Sequence, residues 1–243
     1  MSETCTLTGM VLSAAPAGEY DKRITLLTKE QGKVTAFVRG ARRPKSALQA
    51  ATNLFCFGTF EAYEGRDAYT VVKADILNYF SELYTDPEKT WYGCYFLELA
   101  GYFTQPYCEA SDQLKLLYQT VRALVSDRLD LRLIRRIYEL KTLVYHGVSP
   151  VVTSCVQCGS KKDLHWFSLR RRGTLCGTCK GEHDTVLSDA ALYTLQYIIS
   201  SPIEKLYTFK VTEEVYGSIR TVIGQYLQLY VDREFKTLSL LPD

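Results

Sequence analysis

With 243 residues, 47% hydrophobic and 23% charged, the chain can bury a sizeable core and form two modules, and its composition excludes a low-complexity protein. A net charge of +2 makes no global demand for a polyanionic partner. No apolar run reaches the ~18 residues of a membrane span, and MSETCTLTG lacks the basic start and apolar stretch of a secretory signal, so a cytoplasmic protein without a membrane partner is expected.

Residues 1–80 read as strands. In TCTLTGMVLS, Cys5, Leu7, Gly9 and Val11 alternate with Thr4, Thr6 and Thr8, the period of a half-buried strand. KRITLLT and QGKVTAFVRG follow, with Gly32 at a hairpin turn between them. NLFCFGTFEAY and RDAYTVVKADIL form a second hairpin across Glu64-Gly65. Five short strands with no helix among them predict a small closed barrel, because closure removes exposed edges; an SH3-like barrel is the rival to an OB-fold.

The positive charge is local. Eight Lys/Arg and one acid lie between Lys22 and Lys45, and four of those cations fall in the seven residues from Arg39 to Lys45. In GKVTAFVR the alternation sets Val34, Ala36 and Val38 on one face and Lys33, Thr35, Phe37 and Arg39 on the other. An outward face with cations and a ring, continued by Arg42, Arg43 and Lys45, has the chemistry of a single-strand groove: phosphates on Lys/Arg and bases on rings. A solvated charged loop and a core Phe37 are the plain alternatives.

After Pro87 the period becomes helical: EKTWYGCYFLELAGYF, then SDQLKLLYQTVRALVS with Ser111 as N-cap, then DLRLIRRIYELKTLVYHG with Asp130 as N-cap and Gly147 closing it. Leu133, Ile134, Ile137, Leu140 and Val144 form the apolar face of this third helix. Arg128, Arg132 and Arg136 recur every four residues and are expected as a surface stripe beside it, solvated or holding an acidic peptide. The pattern stops at Pro150 and resumes at LSDAALYTLQYIIS and TEEVYGSIRTVIGQYLQLYV. The expected organisation is therefore α+β: a barrel over 1–80, a mostly helical domain over 81–149 and 187–243, and an inserted module over 150–186.

That insertion carries Cys155, Cys158, Cys176 and Cys179 as C-x2-C, seventeen residues, C-x2-C. The spacing lets two tight turns present four sulfurs to one tetrahedral ion, and predicts a structural Zn2+ with a closed shell. A redox pair, or replacement of a thiolate by His165 or His183, is the alternative. Arg170, Arg171 and Arg172, with Lys161, Lys162 and Lys180, either offset the thiolate charge or form a second basic contact. The other four cysteines read as core filling. No phosphate loop, nucleophile elbow or HExxH helix appears, and paired carboxylates such as Glu213–Glu214 sit at a helix start, so a binding protein is expected over an enzyme.

The barrel with RGARRPKS after its third strand, and the helical part interrupted by YHGVSPVVTSCVQCG…GTLCGTC and resumed at LSDAALYTL, resemble the RecO family of bacterial recombination mediators along essentially the whole chain. The resemblance implies an OB-fold over 1–80, a mostly helical remainder and nucleoid association. It also implies ATP-independent binding and annealing of single- and double-stranded DNA. The implied partners are RecR and the single-strand-binding protein SSB, whose C-terminal tail would contact the helical domain, and through them RecA, loaded at single-stranded gaps. Two readings from other classes remain open at this point: a zinc-containing protein-interaction adapter, and an RNA-binding factor.

Overall fold

A computed structural model describes residues 4–241. Five strands come first: β1 (Thr4–Ala17), β2 (Asp21–Thr28), β3 (Gly32–Val38), β4 (Phe57–Glu64) and β5 (Tyr69–Asn78), with a one-turn helix α1 (Leu48–Ala51) before β4. They close into a barrel in the order β1-β2-β3-β5-β4. β1 is long enough to serve two neighbours: residues 4–10 pair with β4 and residues 9–17 with β2, and the register shifts between Val11 and Ser13. A bulge of this kind bends the strand so that the sheet can turn the corner. Three antiparallel hairpins and the antiparallel β1–β4 ladder supply four seams, and the fifth is a short parallel pairing of Ala36, Phe37 and Val38 with Tyr69, Thr70 and Val71.

The expected alternation fills the barrel. Leu7, Val11, Ile24, Leu26, Val34, Ala36, Val38, Phe60, Ala62 and Val71 form one buried cluster. Each large aliphatic or aromatic side chain buried in this way contributes roughly 1.5–3 kcal/mol. Met10 and Leu12 point to the other face of β1 and are buried as well, because α2 (Pro87–Phe103) and α3 (Ser111–Val125) pack over that strand. α2 starts with Pro87 at N1 and Asp86 as N-cap, whose carboxylate accepts from the Lys89 N–H at 3.2 Å. At α3 the expected cap moves by one residue. Ala110 holds the N-cap position, and Ser111 begins the helix with its N–H donating to Glu109 Oε1 at 2.9 Å.

The described residues form two compact units whose boundaries differ from the three-part division expected from sequence: residues 4–126 with 235–241, and residues 127–234. The C-terminal segment returns to the first unit because Phe235 packs edge-on against Tyr95 and Tyr102, at 5.8 and 5.6 Å. The Glu98 carboxylate accepts from the Lys236 and Thr237 N–H groups and from the Thr237 hydroxyl.

In the second unit α4 (Leu131–Tyr145) packs against α5 (Asp189–Ser200) and α6 (Glu213–Gln228). Between α4 and α5 lies a three-stranded sheet, β6 (Trp166–Ser168), β7 (Gly173–Leu175) and β8 (Thr185–Val186), in the order β7-β6-β8. α4 begins at the expected Asp130 cap, whose carboxylate accepts from the Arg132 N–H at 2.8 Å. It ends in a Schellman motif, with Val148 N–H to Leu143 C=O and Gly147 N–H to Val144 C=O, and Gly147 at φ +82°.

α4 is buried on nearly every side from Leu133 to Leu143, charges included. Glu139, wholly buried, accepts from Arg135 Nε and Arg136 Nη1, each at 2.8 Å. Lys141 reaches the end of α5, where its ammonium donates to the carbonyls of Ile198, Ile199 and Ser201 at 3.2, 2.8 and 2.8 Å. A lysine there satisfies carbonyls that the helix leaves open and meets the negative end of its dipole. Removing the central carboxylate by Glu139→Gln strands two guanidinium groups in a dry site. We expect a loss of about 3–5 kcal/mol of unfolding free energy, read as a lower urea midpoint; an unchanged midpoint would show that the triad adds nothing to stability.

Candidate nucleic-acid interface and metal centre

The basic loop leaves the end of β3, and local bonds fix its shape. Gly40 takes φ +65°, a conformation costly for other residues, and its N–H donates to Asp21 Oδ1 at 2.7 Å. A turn follows, with the Arg43 N–H on the Gly40 carbonyl at 3.0 Å. The Arg42 N–H donates to the Tyr20 carbonyl at 2.8 Å, and its Nη1 to the carbonyls of Gly18 and Glu19, both at 3.2 Å. Arg39, Arg42, Arg43 and Lys45 are all exposed. The Arg43 guanidinium lies over the Tyr20 ring, 5.4 Å from its centroid. The loop thus holds its cations outward while its backbone is tied to the β1–β2 turn.

Phe37 is 41% exposed on the outer barrel face. Arg23 stands directly opposite it on β2, exposed. Arg23 and Tyr20 were not among the residues singled out from sequence. The only early signal was their position in a basic stretch, since cross-strand register decides that Arg23 meets Phe37. Lys33 is not part of this surface. It is the second residue of β3, at the end remote from the loop, and its ammonium donates to the Gly101 carbonyl of α2 at 2.6 Å.

The four paired cysteines converge. Their sulfurs all lie within 4.8 Å of one another, and Cys158 Sγ and Cys176 Sγ are 3.6 Å apart. A tetrahedral ion with ~2.3 Å metal–sulfur bonds sets its ligands about 3.8 Å apart, so the set fits a thiolate-bound metal. Gly159, at φ +75°, turns the chain after the second ligand. Inside the other pair a Cβ at Gly177 would run into the Asp163 carboxylate, which accepts the Gly177 N–H at 3.0 Å. Burial pushes the Cys155 thiol up, but the backbone amides of Cys176, Cys158 and Gln157 outweigh it and hold the group down at about 6. Burial and the neighbouring thiols push Cys179 up to about 12. One sulfur is thus poised as thiolate at neutral pH, and a bound cation would supply the charge that lets Cys158 and Cys179, both held above the ordinary thiol value, ionise.

The arginines beside the cysteines divide by role. Arg171 Nη1 donates to Gln157 Oε1 in the first cysteine turn and to the Cys179 carbonyl in the second, the latter at 3.3 Å. Arg172, at φ +58°, lies over the Tyr230 ring at 5.5 Å, and Lys180 over the Trp166 ring at 4.3 Å. Arg170, Lys161 and Lys162 are exposed.

The expected arginine stripe does not form. Arg128 lies in the bend before Asp130, off the helix, so the four-residue spacing from it has no helical meaning. Arg132 is held by Asp130 at 2.7 Å and Glu213 at 3.1 Å, over the Tyr216 ring. Arg136 is buried on Glu139. These three side chains therefore do not make one cationic surface for a peptide.

Among the described residues no helix is long and apolar enough to cross a membrane. The family model described as Recombination protein O N terminal matches residues 1–80, and that described as Recombination protein O C terminal matches residues 84–239. The chain is 32% identical over 237 residues to DNA repair protein RecO of Acetivibrio thermocellus, which covers 96% of this chain and 94% of that one. It is 31% identical over 236 residues to the RecO of Alkaliphilus metalliredigens, covering 96% of each. It is 28% identical over 234 residues to that of Clostridium perfringens strain 13, covering 96% and 95%. A five-stranded barrel, a helical remainder, a four-cysteine cluster and matches along the whole length agree: the chain belongs to the RecO family of DNA repair proteins.

Proposed function

We propose that the protein is a non-enzymatic mediator that binds single- and double-stranded DNA, anneals complementary strands, and acts with RecR and SSB in loading RecA at single-stranded gaps. The observation that carries the DNA-binding part is the surface of Phe37, Arg23, Arg39, Arg42, Arg43 and Lys45, cationic, exposed and built around rings. Phosphate contacts of this type carry no base identity, so binding is sequence-tolerant and strongly salt-dependent. Family membership supports the partners, and with them a place in the cytoplasm on the nucleoid.

Annealing requires screening of the repulsion between two phosphate backbones. The barrel loop holds one strand, and the exposed Lys161, Lys162 and Arg170 of the cysteine module offer a second cationic surface for the other. Arg171 and Arg172 act there mainly as braces, since both have partners within the unit. The metal is one structural Zn2+, because four thiolates close the coordination shell and leave no open position for a substrate.

Four or five phosphate contacts predict a log–log salt slope of about −3 on single-stranded oligonucleotides; changing Arg39, Arg43 and Lys45 together to Gln should flatten it by about 2 and weaken binding alike across sequences. An unaltered slope would remove the loop from the interface, and tighter binding to RNA of equal length would move the reading to an RNA factor. Metal analysis of the purified chain should give one zinc per molecule, and Cys158→Ser should lose it. A chelator should melt the cysteine module while the barrel keeps its own transition, and an ion retained by Cys158→Ser would disprove the four-thiolate site.

A further inference from the structure

Behind the basic loop lies a cavity of 440 Å³ that none of the contacts above uses. Its polar lining is Lys22, Arg42, Asn53 and Tyr84, its wall includes Ala14 and Pro16, and no carboxylate residue lines it. Arg42 belongs to both surfaces, so the cavity opens beside the loop.

Each polar group is already oriented. The Lys22 ammonium donates to the Gln49 carbonyl, Thr52 Oγ1 and Asn53 Oδ1 at 3.0, 3.1 and 3.0 Å. Its three hydrogens are engaged, but its charge remains. Burial holds the Lys22 pKa below its ordinary value, and the nearby Arg42 charge acts in the same direction. Two cations of like sign facing a concave, acid-free space attract an anion. Arg42 uses Nη1 on two carbonyls, which leaves Nε and Nη2 as donors. With Asn53 Oδ1 taken by Lys22, its amide presents Nδ2–H as a donor.

Tyr84 supplies the flat element. Its hydroxyl donates to the Leu54 carbonyl at 2.7 Å, and its ring meets Phe55 edge-on at 6.0 Å. Even so, the residue is 51% exposed. A ring fixed at both ends and still open loses little freedom when something stacks on it.

We propose that this cavity takes one unstacked nucleotide of a bound single strand, with its phosphate on Arg42 beside Lys22, its base against the Tyr84 ring and its base edge on Asn53 Nδ2. The inference rests on the nucleic-acid reading of the loop and extends it from backbone contacts to a base.

The test measures affinities of the full-length protein for three probes: an oligo-dT, the same length with abasic sites, and a duplex. The wild type should prefer oligo-dT over the abasic strand by about fivefold or more. Tyr84→Leu should erase that preference and leave duplex affinity unchanged, while Tyr84→Phe, which keeps the ring, should retain it. If Tyr84→Leu keeps the preference while the triple Gln loop variant loses binding, the loop reading stands and the cavity proposal falls. If the wild type binds no oligonucleotide, the loop reading itself fails. Free thymidine monophosphate distinguishes the other source of the same chemistry: if it fills the site without competing with oligo-dT, the cavity serves a free nucleotide and the strand proposal is overturned.

Discussion

Three residue pairs complete the barrel: Ala36–Tyr69, Phe37–Thr70 and Val38–Val71. Everything on the nucleic-acid side depends on this short parallel seam. Four of the five joints are hairpins or long antiparallel ladders whose partners are fixed locally or by the bend in β1. The fifth joins strands from different hairpins and determines that the end of β3 lies inside the sheet and not at an edge. Once Val38 is buried there, Phe37 and Arg39 on either side of it must face outward, and the chain leaves β3 directly into the basic loop. The outward cations are thus a consequence of closure.

The protein also shows how little a count of basic residues says about what they do. Arg135 and Arg136 are held on a buried carboxylate, and Lys141 on the end of α5. Lys33 sits on a carbonyl of α2, and Arg171 bridges the two cysteine turns. Arg135, Arg136 and Lys141 contribute to folding by satisfying acceptors that would otherwise be buried unpaired, and Lys33 and Arg171 by tying separate segments together. The loop cations differ in that their backbone carries the bonds and most of their side-chain donors remain in water.

Periodicity made much of the fold legible. A period of two located all five barrel strands, and a period of 3.6 located α2 to α6, since both patterns record which face meets a core. The cysteine spacing was read correctly as a converging set because two residues between ligands leave few other geometries. What depends on tertiary register was not visible. Arg23 opposes Phe37 only through the β2–β3 pairing, and Tyr20 reaches Arg43 only through the loop's return to the β1–β2 turn. The arginine spacing of 128, 132 and 136 misled for two reasons: the helix starts after Asp130, and α4 is buried on both sides, so a charged period can lie inside when a glutamate is there to meet it.

The far end of β3 has a consequence of its own. There the Lys33 ammonium holds the Gly101 carbonyl, the Lys33 N–H donates to Gln105, and the Tyr107 N–H donates to Gln31. β3 is therefore moored to α2 and the segment after it at one end and carries the basic loop at the other. Tension applied to the loop by a taut strand would travel some 20 Å along this one rod, at about 3.3 Å per residue, and arrive at the moorings on α2. The loop is tethered to a helix, and a pull on it is a pull on the barrel's own anchorage.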